Sequence, residues 1–243
     1  MSADFISKGS EVESRYTDRH KGFPISGHEP SYILLNCDRP LRPRVQMFKA
    51  PFDYCVTLLF LVVTLPAFLM IALIIKSTSR GPVLFCQPRV GLNGMMFSCY
   101  KFRTMYEEAT DLRADRQTEE GDPRVTATGR WLRRLSLDEL PQLLNVLAGD
   151  MSLVGPRPHA PGTRAEGKLF AEVVPGYERR HVIKPGITGL AQVSGCRGPT
   201  DRVDQIVTRV AYDLTYIERM SLALDLKIVW ATITREIFSA KAF

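Results

Sequence analysis

The chain has 243 residues, with 32 Lys and Arg against 26 Asp and Glu, a formal net charge of +6 and 45% hydrophobic residues. That length buries a substantial core in one domain or one domain with attachments, and the positive excess fits nucleic acid, an anionic membrane surface or a phosphorylated substrate. Five scattered cysteines, with no C-x-x-C and no metal spacing to the four histidines, argue against a disulfide scaffold and a zinc site and fit a reducing compartment.

Residues 1–45 are polar, mixed in charge and without periodicity, and no apolar run follows Met1. They predict a mobile tail and not a signal peptide. Residues 46–80 then form the most apolar part of the chain. Residues 55–75 carry no charge, and 14 of these 21 are Leu, Ile, Val or Phe. Such a run reaches about 30 Å as a helix, enough for a bilayer core. Pro66 stands in its middle and divides it into arms of about 16 Å. Arg39, Arg42, Arg44 and Lys49 flank the front, and Lys76, Arg80 and Arg89 flank the back. Positive flanks mark the cytoplasmic side, and here both qualify. The pattern predicts a re-entrant helical hairpin that enters and leaves one leaflet, with Pro66 as its hinge. The Thr64 hydroxyl is placed to bond a carbonyl freed near that proline.

Residues 81–85 read as a short extended piece, residues 90–94 as a turn and residues 96–102 as a strand. The strand ends in Lys101 and Arg103. Residues 106–122 hold seven acids and two arginines, net −5, so the remaining chain is +6 − (−5) = +11. The acidic stretch predicts a solvated helix, and the basic remainder is available to membrane and phosphates. A helix is expected around residues 128–135.

Residues 133–158 carry the densest chemistry. Arg133 and Arg134 precede the adjacent carboxylates Asp138 and Glu139. Leu140, Leu143, Leu144 and Leu147 follow at i, i+3, i+4, i+7, one face of a helix. Pro141 belongs in its first turn. Two starts fit: Ser136 as N-cap of a capping box with Glu139, or Asp138 as N-cap, which places Pro141 where its missing N–H costs least; the second is preferred. Either puts Asp138 beside free N–H groups that also suit an anion. Arg157 is held between Pro156 and Pro158, and guanidinium groups clamp phosphate oxygens. Two carboxylates among arginines also suit Mg²⁺, which takes one or two carboxylates plus substrate phosphates.

Residues 159–167 form a Gly- and Pro-rich loop, and residues 166–174 a short helix. His159 and His181 are conceivable bases. Residues 184–189 make a tight positive loop, after which Arg197 can meet phosphate or headgroups. Residues 203–220 are amphipathic, with Ile206, Val210, Leu214 and Ile217 on one face. Residues 222–238, with Trp230 and Lys227, suit a membrane interface.

Four stretches, YKFRTM (100–105), SLDELPQLLNVL (136–147), GDMSLVGPRP (149–158) and KPGITGLAQVSG (184–195), together resemble the bacterial sugar transferases, the monotopic phosphoglycosyl transferases. The resemblance covers residues 49–243. It implies an α/β fold: a small, mainly helical cytoplasmic domain with a few short strands over residues 81–243, on the re-entrant membrane hairpin. That family usually has serine before the hinge proline, where this chain has Leu65. The implied reaction moves a hexose 1-phosphate, glucose or galactose, from a UDP-sugar to undecaprenyl phosphate and releases UMP, the first membrane-committed step of exopolysaccharide or related glycan synthesis. The implied setting is the cytoplasmic face of a bacterial inner membrane. Asp138 matches the family's nucleophile and Glu139 its partner, which helps with Mg²⁺ or with proton handling; the Mg²⁺ falls to Asp138, to Glu139 or to both. Arg133, Arg157, Lys101 and Arg103 fall to the substrate phosphates, and a homo-oligomer is compatible. Two other classes fit less of the chain. A non-catalytic protein binding anionic lipid leaves Asp138 and Glu139 without a task. A membrane-tethered nucleic-acid binder has no recognised motif, so no nucleic-acid partner is expected.

Overall fold

The apolar segment is one helix. In the computed structural model, which describes residues 43–109, 118, 121–198 and 200–238, α1 runs over Pro43–Thr78 with Pro51 and Pro66 inside it. Where two arms about Pro66 were expected, a single helical assignment runs through both prolines. The Thr64 hydroxyl donates to the Phe60 carbonyl at 2.7 Å. It therefore does not take the Val62 carbonyl, four residues before Pro66, which loses its N–H partner to the proline ring. The tail expected over residues 1–45 lies outside the described residues, save the last three, which open α1. The acidic segment also falls largely outside them.

Both halves of α1 rest on the same body. Near its start Lys49, Asp53 and Thr57 are buried, and Val56 and Leu61 pack against the main core. Toward its end Ile71 and Ile75 join Phe102 and Leu132 in a second core, where the Phe68 and Phe102 rings lie 4.7 Å apart. Between and beside these contacts Leu59, Val62, Val63, Leu69, Met70 and Leu73 are each at least 60% exposed. A contiguous apolar surface of that kind marks a membrane or partner contact.

After α1, β1 (Leu84–Val90) and β2 (Met96–Phe102) pair antiparallel from Leu84↔Phe102 to Val90↔Met96. The predicted turn joins them, and β1 is longer than the extended piece expected. Helix α2 (Ala127–Arg134) starts at Thr126, whose side chain accepts from the Gly129 N–H at 2.8 Å, an N-cap that stabilises the first turn. Gly129 has no Cβ because that atom would collide with the Thr104 carbonyl, so α2 can lie directly on the end of β2.

A 3₁₀ turn over Leu137–Glu139 comes next, then α3 (Gln142–Ala148). The preferred start at Asp138 is corrected, as is the alternative: the α-helix begins after Pro141, and neither Asp138 nor Ser136 caps it. Ser136 sits at φ 53 and makes no side-chain cap. Pro141, with no N–H to donate, ends the 3₁₀ turn and opens the helix.

Strand β3 (Ser152–Val154) pairs in parallel with β6 (Gly186–Thr188). Between them lie the two-residue strands β4 (Arg164–Ala165) and β5 (Lys168–Leu169) and α4 (Phe170–Val173), so the expected helix over 166–174 is a small hairpin followed by one helical turn. Short α5 (Leu190–Val193) leads to α6 (Val203–Arg219) and α7 (Leu222–Phe238). The expected face of α6, Ile206, Val210, Leu214 and Ile217, is buried at the centre of the main core. On α7, Leu226 and Trp230 stay exposed.

A buried polar cluster fastens the start of α1. Lys49 Nζ lies 2.6 Å from Asp225 Oδ2 on α7, and the Tyr216 hydroxyl of α6 donates to Asp225 Oδ1 at 2.7 Å. Asp53 accepts from the Ser152 hydroxyl of β3 at 2.6 Å. Removing one partner of a buried pair strands the other charge, at about 3–5 kcal/mol, whereas replacing both with apolar groups is far milder. Asp225→Ala is therefore expected to lower the thermal midpoint of the detergent-solubilised protein by at least several degrees, and Lys49→Met with Asp225→Leu by much less. Equal midpoints for wild type and Asp225→Ala would remove the latch from the account.

Candidate active site

The carboxylate turn is bolted to β2 by Asn145, which is fully buried on α3. Its Oδ1 accepts from the Tyr100 N–H at 2.9 Å, and its Nδ2 donates to the Ser98 carbonyl at 2.7 Å. The neighbouring strand residue, Lys101, thereby meets the turn, with its Nζ 2.6 Å from Glu139 Oε1. Arg157 arrives from the other side. The β3–β6 ladder runs one bond past β3, with Gly155 N–H on the Thr188 carbonyl at 2.9 Å, and the chain then turns back so that the Pro156 carbonyl accepts from the Gly186 N–H at 2.9 Å. These fix the Pro-Arg-Pro segment. Arg157 then grips Glu139 with two nitrogens, Nη1 to Oε2 at 2.9 Å and Nη2 to Oε1.

The two adjacent carboxylates are thus unlike. Burial by itself would raise the Glu139 pKa, but Arg157 and Lys101 outweigh it and hold Glu139 well below the usual carboxylate range. Glu139 in turn raises Arg157. Asp138 is 8% exposed, and no hydrogen bond to its carboxylate forms among the described residues. Burial pushes its pKa up to about 6, against the opposing pull of Lys101. An anionic oxygen that is desolvated and unpaired is poised to attack an electrophile.

The remaining expected residues divide. Arg133 Nε donates to the Thr104 hydroxyl at 2.8 Å, and Asp138 partly offsets the lowering of its pKa by burial. Arg103 is buried and its Nη2 holds the Ser79 carbonyl and hydroxyl at 2.9 and 2.7 Å. It ties the exit of α1 to the end of β2. All six residues line one cavity of about 970 Å³. Its charged end holds Asp138, Glu139, Lys101 and Arg157. Val56 and Phe60 of α1 and Val229 and Ile233 of α7 give it an apolar wall.

Within this frame the family can be assigned. A profile of the family described as bacterial sugar transferase matches residues 44–239. The chain belongs to the bacterial sugar transferase family. Among its relatives, "Undecaprenyl-phosphate glucose phosphotransferase" of Komagataeibacter xylinus is 50% identical over 232 residues, 96% of this chain and 44% of that protein. "Exopolysaccharide production protein PSS" of Rhizobium leguminosarum bv. phaseoli is 48% identical over 81% of this chain and 98% of its own length. "UDP-glucose:undecaprenyl-phosphate glucose-1-phosphate transferase" of Caulobacter vibrioides is 43% identical over 96% of this chain and 88% of its own length. The chain therefore spans less than half of the first relative and nearly all of the second.

Several residues of this sugar transferase site were missed in the sequence. Arg89 donates from Nη1 to the Pro158 carbonyl at 3.0 Å and lines the cavity. Arg180, fully buried, pairs with Asp213 at 2.7 Å and donates to the Arg157 carbonyl at 2.7 Å. The spacing of Arg180 and Asp213, 33 residues, carried no local signal. His159, weighed as a base, is buried. Desolvation, then Arg180 and Arg209, hold its pKa well below 6.5, so it is neutral. His181 is lowered to about 4, chiefly by burial.

The pH dependence follows from Asp138. Its raised pKa means that the native state gains a proton as pH falls through about 6, before the unfolded chain does near 3.8. This group thus adds stability on acidification while its anionic form disappears. Glu139 keeps its charge through that window. The expected outcome is an acid limb in kcat/KM near pH 6 with no matching fall in thermal midpoint between pH 7 and 5.5. A limb near pH 4 would contradict the desolvated Asp138.

Proposed function

We propose that this chain transfers glucose 1-phosphate from UDP-glucose to undecaprenyl phosphate at the cytoplasmic face of a bacterial inner membrane, releasing UMP and initiating exopolysaccharide synthesis. The observation that carries the reading is the contrast at the charged end of the cavity. Glu139 is saturated by two cations, while its neighbour Asp138 is buried with its oxygens unengaged. A surface that only held lipid phosphate would gain nothing from a desolvated carboxylate. The names of the relatives support glucose as the sugar.

In this reading an Asp138 oxygen attacks the sugar-bearing phosphorus. The bond from that phosphorus to the bridging oxygen breaks, and its electron pair leaves on UMP. An acyl phosphate carrying the sugar remains. A lipid phosphate oxygen then attacks the same phosphorus, the acyl phosphate bond breaks, and the Asp138 carboxylate returns with polyprenyl-diphospho-glucose formed. Lys101 and Arg157 hold positive charge beside the transferred phosphoryl group, and Arg133 adds a third cation.

The donor set suits Mg²⁺ in part. Asp138 has open oxygens, whereas Glu139 would have to release Lys101 or Arg157 to become a ligand. Asp138 and substrate phosphates would hold the ion, which supplies charge neutralisation on the diphosphate. Full-length protein with UDP-glucose and undecaprenyl phosphate should release UMP, and chelation should stop it. Asp138→Asn should reduce turnover by at least about a thousandfold, as loss of a covalent nucleophile does, while its thermal midpoint stays intact. Near wild-type turnover in that variant would sink the assignment.

The re-entrant course of α1 belongs to the same reading. Its support is that both halves of the helix touch one body, which a helix separating two compartments does not do, and that both flanks are basic. Cys37 precedes the apolar run, and Cys86 on β1 is exposed. Single-cysteine variants carrying either should resist an impermeant maleimide in intact cells and react once the inner membrane is opened. Labelling of Cys37 alone in intact cells would mean that the helix crosses.

A further inference from the structure

The cavity joins an apolar wall to a charged end, and a pair of hydroxyls stands where the two meet. Val229, Thr232 and Ile233 of α7 line it together, at the i, i+3, i+4 spacing of one helix face. Thr232 is thus a polar group within the apolar wall. Its hydroxyl lies 2.7 Å from that of Thr188 on β6, which lines the same cavity. Thr188 is tied to the charged end through the backbone, where its carbonyl accepts from the Gly155 N–H at 2.9 Å. Arg157 follows Gly155 by two residues, a reach of at most about 7 Å. The next residue, Gly189, lies against the Gly155 carbonyl, where a Cβ would collide, so the chain stays close to that segment on leaving Thr188.

The pair has bonding capacity left over. Two hydroxyls carry two hydrogens and four lone pairs. The Thr232 hydroxyl also lies 2.8 Å from the Ile228 carbonyl of its own helix. If Thr232 donates to that carbonyl, Thr188 donates to Thr232 and both Thr188 lone pairs stay open. If Thr232 donates to Thr188 instead, the Thr188 hydrogen is open. Neither arrangement saturates Thr188, and both threonines are only partly buried. The chemistry that fits is then selective. Phosphate oxygens favour cations, and Lys101, Arg133 and Arg157 already supply them. A hydrocarbon chain laid over an open hydroxyl would cost about 1–3 kcal/mol. A sugar hydroxyl both donates and accepts, so it meets Thr188 in either arrangement.

We propose that Thr188, backed by Thr232, reads the sugar: its hydroxyl bonds one hydroxyl of the hexose whose 1-phosphate is held between Asp138 and Arg157. The proposal rests on the transferase reading. It places the hexose on the side of Arg157 that faces β6 and α7, at the seam between cations and apolar wall. A hexose with that hydroxyl missing or turned away leaves Thr188 covered and unpaired, which is the condition under which a site rejects an analogue.

The test uses the detergent-solubilised full chain. Thr188→Val keeps the shape and loses the hydroxyl, and Thr232 retains the Ile228 carbonyl as its partner. Thr188→Ser keeps the hydroxyl. KM values for UDP-glucose and undecaprenyl phosphate are read from transfer of labelled glucose to the lipid. Kd values for UDP-glucose and UMP are read by calorimetry with each variant placed in the Asp138→Asn chain, so that no chemistry follows binding. Thr188→Val is expected to raise the KM and Kd of UDP-glucose about three- to tenfold, the range of one neutral hydrogen bond. The Kd of UMP and the KM of the lipid should stay within about twofold, and Thr188→Ser should recover most of the loss. Among monodeoxy UDP-glucoses, one should bind equally with and without the Thr188 hydroxyl, which identifies the sugar position read. Unchanged UDP-glucose binding overturns the proposal. So does an equal loss for UMP and UDP-glucose, a rise confined to the lipid, or a penalty that is the same for every deoxy analogue. A chain that binds UDP-glucose through Thr188 yet transfers no glucose to the lipid refutes the transferase reading and leaves the sugar contact standing.

Discussion

Glu139 is gripped at once by Lys101 and Arg157, and the functional geometry depends on that contact. The three residues come from separate pieces of backbone: a strand end, a 3₁₀ turn and a proline-bounded segment. None of these pieces would hold its position alone. The β1–β2 hairpin has only two strands, and an isolated pair is marginal. The carboxylate gathers them through charge-assisted bonds that burial strengthens. Because Glu139 absorbs both cations, Asp138 beside it is left ionisable, dry and unengaged. The difference between two neighbouring acids is thus made by partners rather than by residue type.

The long apolar helix α1 is part of the same construction. Arg103 ties the end of α1 to the strand that carries Lys101, while Lys49 and Asp53 tie its beginning to α7 and β3. The apolar wall of the cavity is formed by the two helices that expose the most hydrophobic surface, α1 and α7. A single cavity thus joins an apolar wall to a cationic end. The ion pairs of the latch are buried, so salt screens them little.

Behind Arg157 lies a second layer of charge, Arg180, Asp213, His159 and Arg209, nearly all of it buried. Burying four such groups is unfavourable unless their bonding is completed. Arg180 and Asp213 complete one another. His159 joins the same layer through the Tyr177 hydroxyl, 2.7 Å from its Nδ1. The same layer fixes the Arg157 carbonyl, so the clamp on Glu139 inherits its rigidity from helix α6.

Much of this was legible in the residues. The apolar run with its basic flanks, the β2 strand, the buried face of α6 and the carboxylate pair all depend on local pattern, which the order of side chains along the chain determines. Arg133, Asp138, Glu139 and Arg157 could be singled out for the same reason, whereas Lys101 and Arg103 were named only through the family resemblance. Their roles could not be read from local pattern. Asp138 and Glu139 are adjacent acids in one turn, and only the approach of Lys101 and Arg157 from distant segments makes one a saturated anchor and the other a free carboxylate. The start of α3 was misread because a 3₁₀ turn and a helical N-cap use the same residues, and packing on β2 through Asn145 decides between them. Arg180, Asp213 and Arg209 had no local signature, since each acquires its meaning from partners brought near only by folding. Sequence alone thus determined which chemical groups this protein carries and the periodicity of its elements. Tertiary structure decided which charges are neutralised and which are left desolvated, because burial and ion pairing depend on distances through space that spacing along the chain does not contain.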